Sequence, residues 1–311
     1  MGALREIGVD IEPARWWDGA QRGDVLQYFG RVPMLWLRLA REKGMKVAVT
    51  NLLSEQGSRP QSRLWVQRWA TQFLNRTLPV PVRDRFGWDS YRQADACIAN
   101  TSWEAHLMSY LFGAPGEKVH VVPNGVERVF LDSAPAPRGK WLVCTATITP
   151  RKRVLELAQA AVLARTPVWV VGKPYSEQDD YAQRFLALAK EHPELVRYEG
   201  PVQDRARMAR VYREARGFVL LSTMETRSLS SEEAAACECP LLLSDLPWAR
   251  STFGDQAVYC AASGRPEIIA PSLAKFYAEA PGIKPPARPC SWVEVAGMYR
   301  QIYEGMVRRK L

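Results

Sequence analysis

Two glutamates eight residues apart, Glu225 and Glu233, are the residues of this chain best placed to do chemistry. Glu225 lies in a polar stretch, 223–230, directly after an apolar run of strand length, 217–222. Glu233 lies in the Ala-rich segment 231–239, which has helical composition and ends before Pro240. A new apolar strand begins at 241–243. The unit is therefore strand, loop, helix, strand, the repeating piece of a parallel α/β sheet, and ligands of such sheets bind beyond the carboxyl ends of the strands. A carboxylate accepts two hydrogen bonds, which suits a pair of neighbouring sugar hydroxyls. Between the acids, Thr226, Arg227, Ser228, Leu229 and Ser230 lead to a helix start. Outward-pointing amides of 228–231 and the helix dipole would favour a phosphate there. A helix that merely carries two surface glutamates has the same spacing.

A second group of candidates is basic. Residues 141–146 read as a strand, 147–153 (TITPRKR) as a loop and 154–164 as a helix. Arg151 and Lys152 sit at that junction, with Thr147 at the start of the loop. Cations beside a helix N-terminus oppose its dipole, unless an anion lies between them and the amides. Two solvated charges are the alternative.

The elements that must position these groups alternate regularly. Strands are predicted at 9–11, 24–29, 46–50, 96–99, 119–122, 141–146, 167–172, 196–198, 217–222, 241–243 and 257–260. Helices are predicted at 34–43, 102–112 (capped by Ser102), 154–164, 181–190, 205–215 (capped by Asp204), 231–239 and 292–307. This is an α/β chain of two Rossmann-like domains. The expected boundaries are an N-terminal domain over 1–132, a Pro/Ala linker over 133–140, a second domain over 141–290 and a terminal helix over 291–311.

Length and composition fit that division, since 311 residues with 47% hydrophobic side chains can fill two cores. No run approaches the length of a spanning helix and no signal peptide is visible at Met1, which points to a cytoplasmic protein. The six cysteines are scattered, without metal-hook spacing, and read as reduced core residues. The formal charge of +9 favours an anionic partner. Five arginines and one aspartate fall in 61–86, where Leu64, Trp65, Trp69, Phe73 and Leu74 recur with helical spacing. Aromatics flanked by arginine suit an anionic membrane surface, with Trp65, Arg68 and Trp69 as the expected membrane or acceptor contacts. The same helix could pack its tryptophans inward. No nucleic-acid motif accompanies it.

The stretch from Glu225 to Pro240 resembles the donor-site signature of the retaining, GT-B-fold glycosyltransferases of family 4: a Glu, seven residues, a Glu, then Ala-x-Ala-Cys-Gly-x-Pro. Glu225, Glu233, Ala234, Ala236, Cys237 and Pro240 match, whereas Thr226, Ser228 and Glu238 stand where the family usually has glycine. The segment 121–126 (VVPNGV) is similar to the family's Ile-Pro-Asn-Gly-Val, and Lys152 matches the lysine of its diphosphate loop. Arg151 substitutes for an arginine more often found at the position of Thr147, and Ala146 for a glycine. Asn51 stands where the family commonly has a histidine, and His106, His120 and His192 are not candidates for that role. The chain opens inside the helix that the family places after its first strand and Gly-rich loop.

The resemblance implies two Rossmann-like domains facing a cleft, the first either truncated at its start or built on a reduced sheet without that opening strand. It implies retaining transfer of a hexosyl unit from a nucleoside diphosphate sugar, as co-substrate, to a sugar, lipid or small-molecule acceptor. Glu225 would hold sugar hydroxyls, Glu233 the ribose diol, and Lys152 with Arg151 the leaving diphosphate, with no metal ion or other cofactor. The alternative is a non-catalytic scaffold of the same fold that binds a nucleotide or a membrane.

Overall fold

The computed structural model describes residues 1–132 and 134–308. Its chain forms two compact units, Val126–Ser291 and a first unit built from Met1–Gly125 with Trp292–Leu311. The α/β expectation holds in both, and every strand pair is parallel.

The first unit carries a four-stranded sheet, β1 (Val25–Phe29), β2 (Lys46–Thr50), β3 (Ala96–Ala99) and β4 (Val119–Val121), in that spatial order. The central strands KVAVT and ACIA are almost wholly buried, as parallel strands covered on both faces must be. Leu37, Leu107, Met108 and Tyr91 pack on them. The terminal helix Trp292–Arg308 belongs to this unit: the Tyr303 hydroxyl donates to Gln27 Oε1 at 3.0 Å, and Tyr299 meets Thr50 at 3.3 Å.

Residues 9–11 form no strand. Val9 N donates to Leu4 O, and the Arg5 guanidinium donates to Ile11 O at 3.0 Å, so this short run meets its hydrogen-bonding needs locally. Helix Ser102–Phe112 is capped by Thr101, whose side chain accepts from Glu104 N, and not by Ser102.

The second unit carries six strands, β5 (Leu142–Thr145), β6 (Val168–Val171), β7 (Val196–Glu199), β8 (Gly217–Leu220), β9 (Leu241–Ser244) and β10 (Val258–Cys260). Their order is β10-β9-β8-β5-β6-β7. From β5 the chain runs outward one way through β6 and β7, then returns to β8 and runs outward the other way. The reversal leaves a crevice above the carboxyl ends of β5 and β8, the switch point at which open α/β sheets bind ligands. The sheet is packed on both faces by two apolar clusters, one around Leu157, Phe185 and Phe276 and the other around Phe130, Tyr212 and Trp248.

Two boundaries differ from expectation. Phe130 is fully buried in the second unit's core, so the units divide at Gly125 and Val126. The expected linker, whose Ser133 lies outside the described residues, is not free over its later part. Arg138 donates to the carbonyls of Tyr212, Ala215 and Glu238, and Gly139 N to Glu214 O. The expected terminal segment likewise ends in 309–311, outside the described residues.

Candidate donor site at the sheet switch point

The basic loop and the acidic loop lie side by side because β5 and β8 are neighbours. They are joined by backbone as well: Thr223 N donates to Arg151 O at 2.9 Å, and the hydroxyls of Ser222 and Thr223 reach the same oxygen at 3.3 Å. This join brings Glu225, Arg151 and Lys152 together. Arg151 Nη1 lies 3.0 Å from Glu225 Oε1 and 2.7 Å from Met224 O, and Lys152 Nζ donates to the same Glu225 oxygen. Lys152 and Glu225 are mostly shielded from solvent, and Arg151 is more open. One carboxylate thus faces two cations. Thr147 is half-buried in the same loop, two residues past β5.

Glu233 sits in a separate cluster with an excess of acid. Its Oε1 pairs with Arg205, which also holds Glu127 Oε1 at 2.9 Å. Glu233 Oε2 accepts from the Tyr212 hydroxyl at 3.3 Å, and that hydroxyl lies 2.6 Å from Thr145 Oγ1 at the end of β5. The carboxyl of Glu233 is raised above the ordinary glutamate range by burial, and Arg205 and Tyr212 pull it partway back. Arg205, Glu127 and Tyr212 were not singled out from sequence. Arg205 follows the helix cap Asp204, but nothing in its neighbourhood names an acid 28 residues on as its partner.

The helix that carries Glu233 is Leu229–Ala236, starting two residues earlier than predicted, with Ser228 as N-cap. The Ser228 hydroxyl accepts from Ser231 N at 3.3 Å and its carbonyl from Glu232 N at 3.2 Å. Of the four amides expected to face a phosphate, that of Ser231 is taken by the Ser228 hydroxyl. Ser228 has φ −78°, so its serine fits the backbone without strain, although the family usually has glycine there. Arg227 Nε donates at 2.5 Å to Glu232 Oε1. Glu232 is 1% exposed and its carboxyl is raised by burial. Arg227 thus stands in the expected donor loop with its guanidinium engaged by Glu232.

The helix does not run to Pro240. It ends at Ala236, and the chain reverses through Glu238 at φ +57°. That left-handed position explains why a glycine is usual there.

Among the described residues no cluster of three or more His, Cys, Asp or Glu side chains could hold a metal ion. Five of the six cysteines are buried, with the thiols of Cys97, Cys144 and Cys239 pushed up to about 12 by burial. His106 is stacked between Trp103 and Tyr110, and Asn51 donates to the Tyr91 hydroxyl.

This arrangement is that of a family 4 glycosyltransferase. Residues 139–279 match the family described as Glycosyl transferases group 1, and residues 13–129 match Glycosyltransferase Family 4. Together they take in most of both units, and the chain belongs to this family.

Among curated proteins, 182 residues are 31% identical to the D-inositol 3-phosphate glycosyltransferase of Jonesia denitrificans, covering 50% of this chain and 42% of that one. The enzyme of the same name from Actinosynnema mirum is 32% identical over 171 residues, 48% of this chain and 41% of its own. The chain thus spans about two fifths of the length of these relatives. Among solved structures, sucrose-phosphate synthase from Thermosynechococcus elongatus superposes with a TM-score of 0.62 at 17% identity, over 92% of this chain and 74% of that one. HepE of Anabaena, solved with UDP and glucose, gives 0.58 at 14% identity, over 90% and 77%. These likenesses place the fold among GT-B proteins.

Proposed function

We propose that the chain transfers a hexosyl unit from a nucleoside diphosphate sugar to an acceptor, with retention at the anomeric carbon. The observation that carries this is the meeting of Arg151, Lys152 and Glu225 above the ends of β5 and β8. The bond between the anomeric carbon and the β-phosphate oxygen breaks, and the acceptor oxygen bonds to that carbon. The departing phosphate takes the acceptor's proton, and the nucleoside diphosphate leaves. Negative charge grows on the diphosphate, where Lys152 and Arg151 act as fixed counter-charges in place of a metal ion. As the diphosphate draws these cations away, Glu225 is freed to accept hydrogen bonds from the sugar. The amides of Leu229 and Ser230 would add donors to the phosphates, with Thr226 and Thr147 beside them. Glu233 would accept from the ribose diol.

A specific observation also favours the rival reading, a scaffold that binds nucleotide without turnover: the Ser228 hydroxyl occupies the Ser231 amide that a phosphate could use. Both readings are separated by incubating the protein with UDP-glucose and a panel of other nucleotide sugars and measuring released nucleoside diphosphate. Slow release, lost in Glu225→Ala and Lys152→Ala, is the expected result. Nucleotide binding with no release from any donor would favour the scaffold.

A further inference from the structure

We propose that the outer face of the consecutive helices Gln61–Thr77 and Val80–Phe86 docks on an anionic phospholipid surface. Sequence spacing alone groups Leu64 with the tryptophans, but the structure separates them. Leu64 and Thr71 are buried, while Trp65, Trp69 and Phe73 are 63%, 61% and 51% exposed. These three side chains recur every four residues, so they form one stripe on the side of the helix away from Leu64 and Thr71. Trp69 and Phe73 stack at 5.5 Å. Val66 lies beside the stripe, and Val80, Val82 and Phe86 of the next helix are exposed as well. An apolar face of this extent on a domain that has already filled its core calls for a partner.

Charge decides which partner. Arg63, Arg76 and Arg85 are exposed, and no ion pair among the described residues involves them. The one acid of the segment, Asp84, is neutralised by Arg38 at 2.5 Å. The other two arginines are spent on structure: Arg68 stacks 4.4 Å over the Tyr110 ring, and Arg83 donates to Asn75 O at 2.8 Å. Arg68, one of the expected contacts, is thus engaged by Tyr110. What remains outward is aromatic and aliphatic surface rimmed by cations. A second copy of this face would meet like charge, which opposes self-association. An anionic bilayer matches both features, with indoles at the headgroup level and guanidiniums on phosphates.

The test is flotation of the full chain with vesicles of phosphatidylglycerol and phosphatidylcholine, against phosphatidylcholine alone. Binding is expected only to the anionic vesicles, and should weaken as salt rises. The triple variant Trp65→Ala/Trp69→Ala/Phe73→Ala should bind about tenfold more weakly. So should Arg63→Glu/Arg76→Glu/Arg85→Glu, which leaves the aromatics in place. Every substituted side chain is exposed, so thermal melts should be unchanged. The proposal is overturned if the wild type ignores anionic vesicles, if both variants bind as the wild type does, or if light scattering shows a dimer that the aromatic variant dissolves. It does not depend on sugar transfer, and either reading of the donor site can stand if it fails.

Discussion

The two glutamates of the donor signature sit in electrostatically opposite surroundings. Glu225 is one acid between two cations, Arg151 and Lys152. Glu233 shares one cation, Arg205, with a second acid, Glu127. Both clusters are rooted at the end of β5, one through the loop that follows it and one through Thr145 and Tyr212. A surplus of cation attracts a diphosphate, and a surplus of carboxylate oxygen attracts hydroxyl donors. On the proposed function, the pair would divide a nucleotide sugar by chemistry, with phosphates and sugar at the first cluster and ribose at the second. The motif shows two identical letters, and their partners make them different.

The strongest way to break this comparison is to change the charge balance of the first cluster. Lys152→Ala should lower donor turnover by about 10²–10³-fold, as expected for loss of a group that stabilises developing charge. It should also weaken nucleoside diphosphate binding. Glu225→Ala should lower turnover by roughly 10²-fold, in the range for loss of a preorganised polar contact. Yet it should leave diphosphate affinity unchanged or tighter, because the internal anion that competes for both cations is gone. Calorimetry with UDP beside the turnover assay separates the two effects. If both variants lose diphosphate affinity equally, Glu225 does not act as the competing anion.

The second cluster is tested by Arg205→Ala. Glu233 and Glu127 then lose their shared cation, at a cost of about 1–2 kcal/mol, less than for a fully buried pair because the guanidinium is 42% exposed. The pH dependence gives the sign. Burial already raises the Glu233 carboxyl, so the folded state holds that proton more readily than the unfolded chain. Such a group favours the fold at low pH, and this advantage is lost as pH rises through the raised value. Removing Arg205 raises the carboxyl further. The melting-temperature gap between wild type and variant should therefore widen from pH 5 to pH 8, and a constant gap would mean that Arg205 does not hold Glu233.

How much of this was legible in the sequence follows from the range over which each signal acts. The strands were visible because parallel strands buried on both faces are short runs of Val, Ile, Leu and Ala, as in KVAVT and VWVV. Arg151, Lys152 and Glu225 were visible because each lies within a few residues of a strand end. Arg205 was not, since its meaning comes from a partner 28 positions away. The helix Pro266–Glu279 was missed because Pro266 and Pro271 look like breakers. Burial of Ile269, Leu273 and Phe276 against the helix Val154–Leu163 outweighs the hydrogen bond that Pro271 cannot make. The expected strand at 9–11 (Val-Asp-Ile) failed because its backbone groups are met locally, by Leu4 and by the Arg5 side chain. In the helix Gln61–Thr77, periodicity revealed a stripe but not which stripe faced the core.

The smallest expected effect is conformational and touches neither charge cluster directly. Glu238 holds φ +57°, a conformation that costs a residue with a Cβ roughly 1 kcal/mol and costs glycine nothing. Its carboxylate returns little, because the contact to Arg213 is 3.5 Å long and the glutamate is 64% exposed. Its carbonyl, which accepts from Arg138, is unaffected by the side chain. Relief of strain is partly offset by the greater freedom of glycine in the unfolded chain. Glu238→Gly should therefore stabilise the protein by about 0.5 kcal/mol, a rise of roughly 1–2 °C in melting temperature for a chain of this size. Turnover should be unchanged, since the helix Leu229–Ala236 would keep its cap at Ser228 and its approach to the crevice. A fall in turnover without a fall in stability would show that the C-terminal end of this helix sets the position of Glu233, and the two clusters would then have to be treated as one.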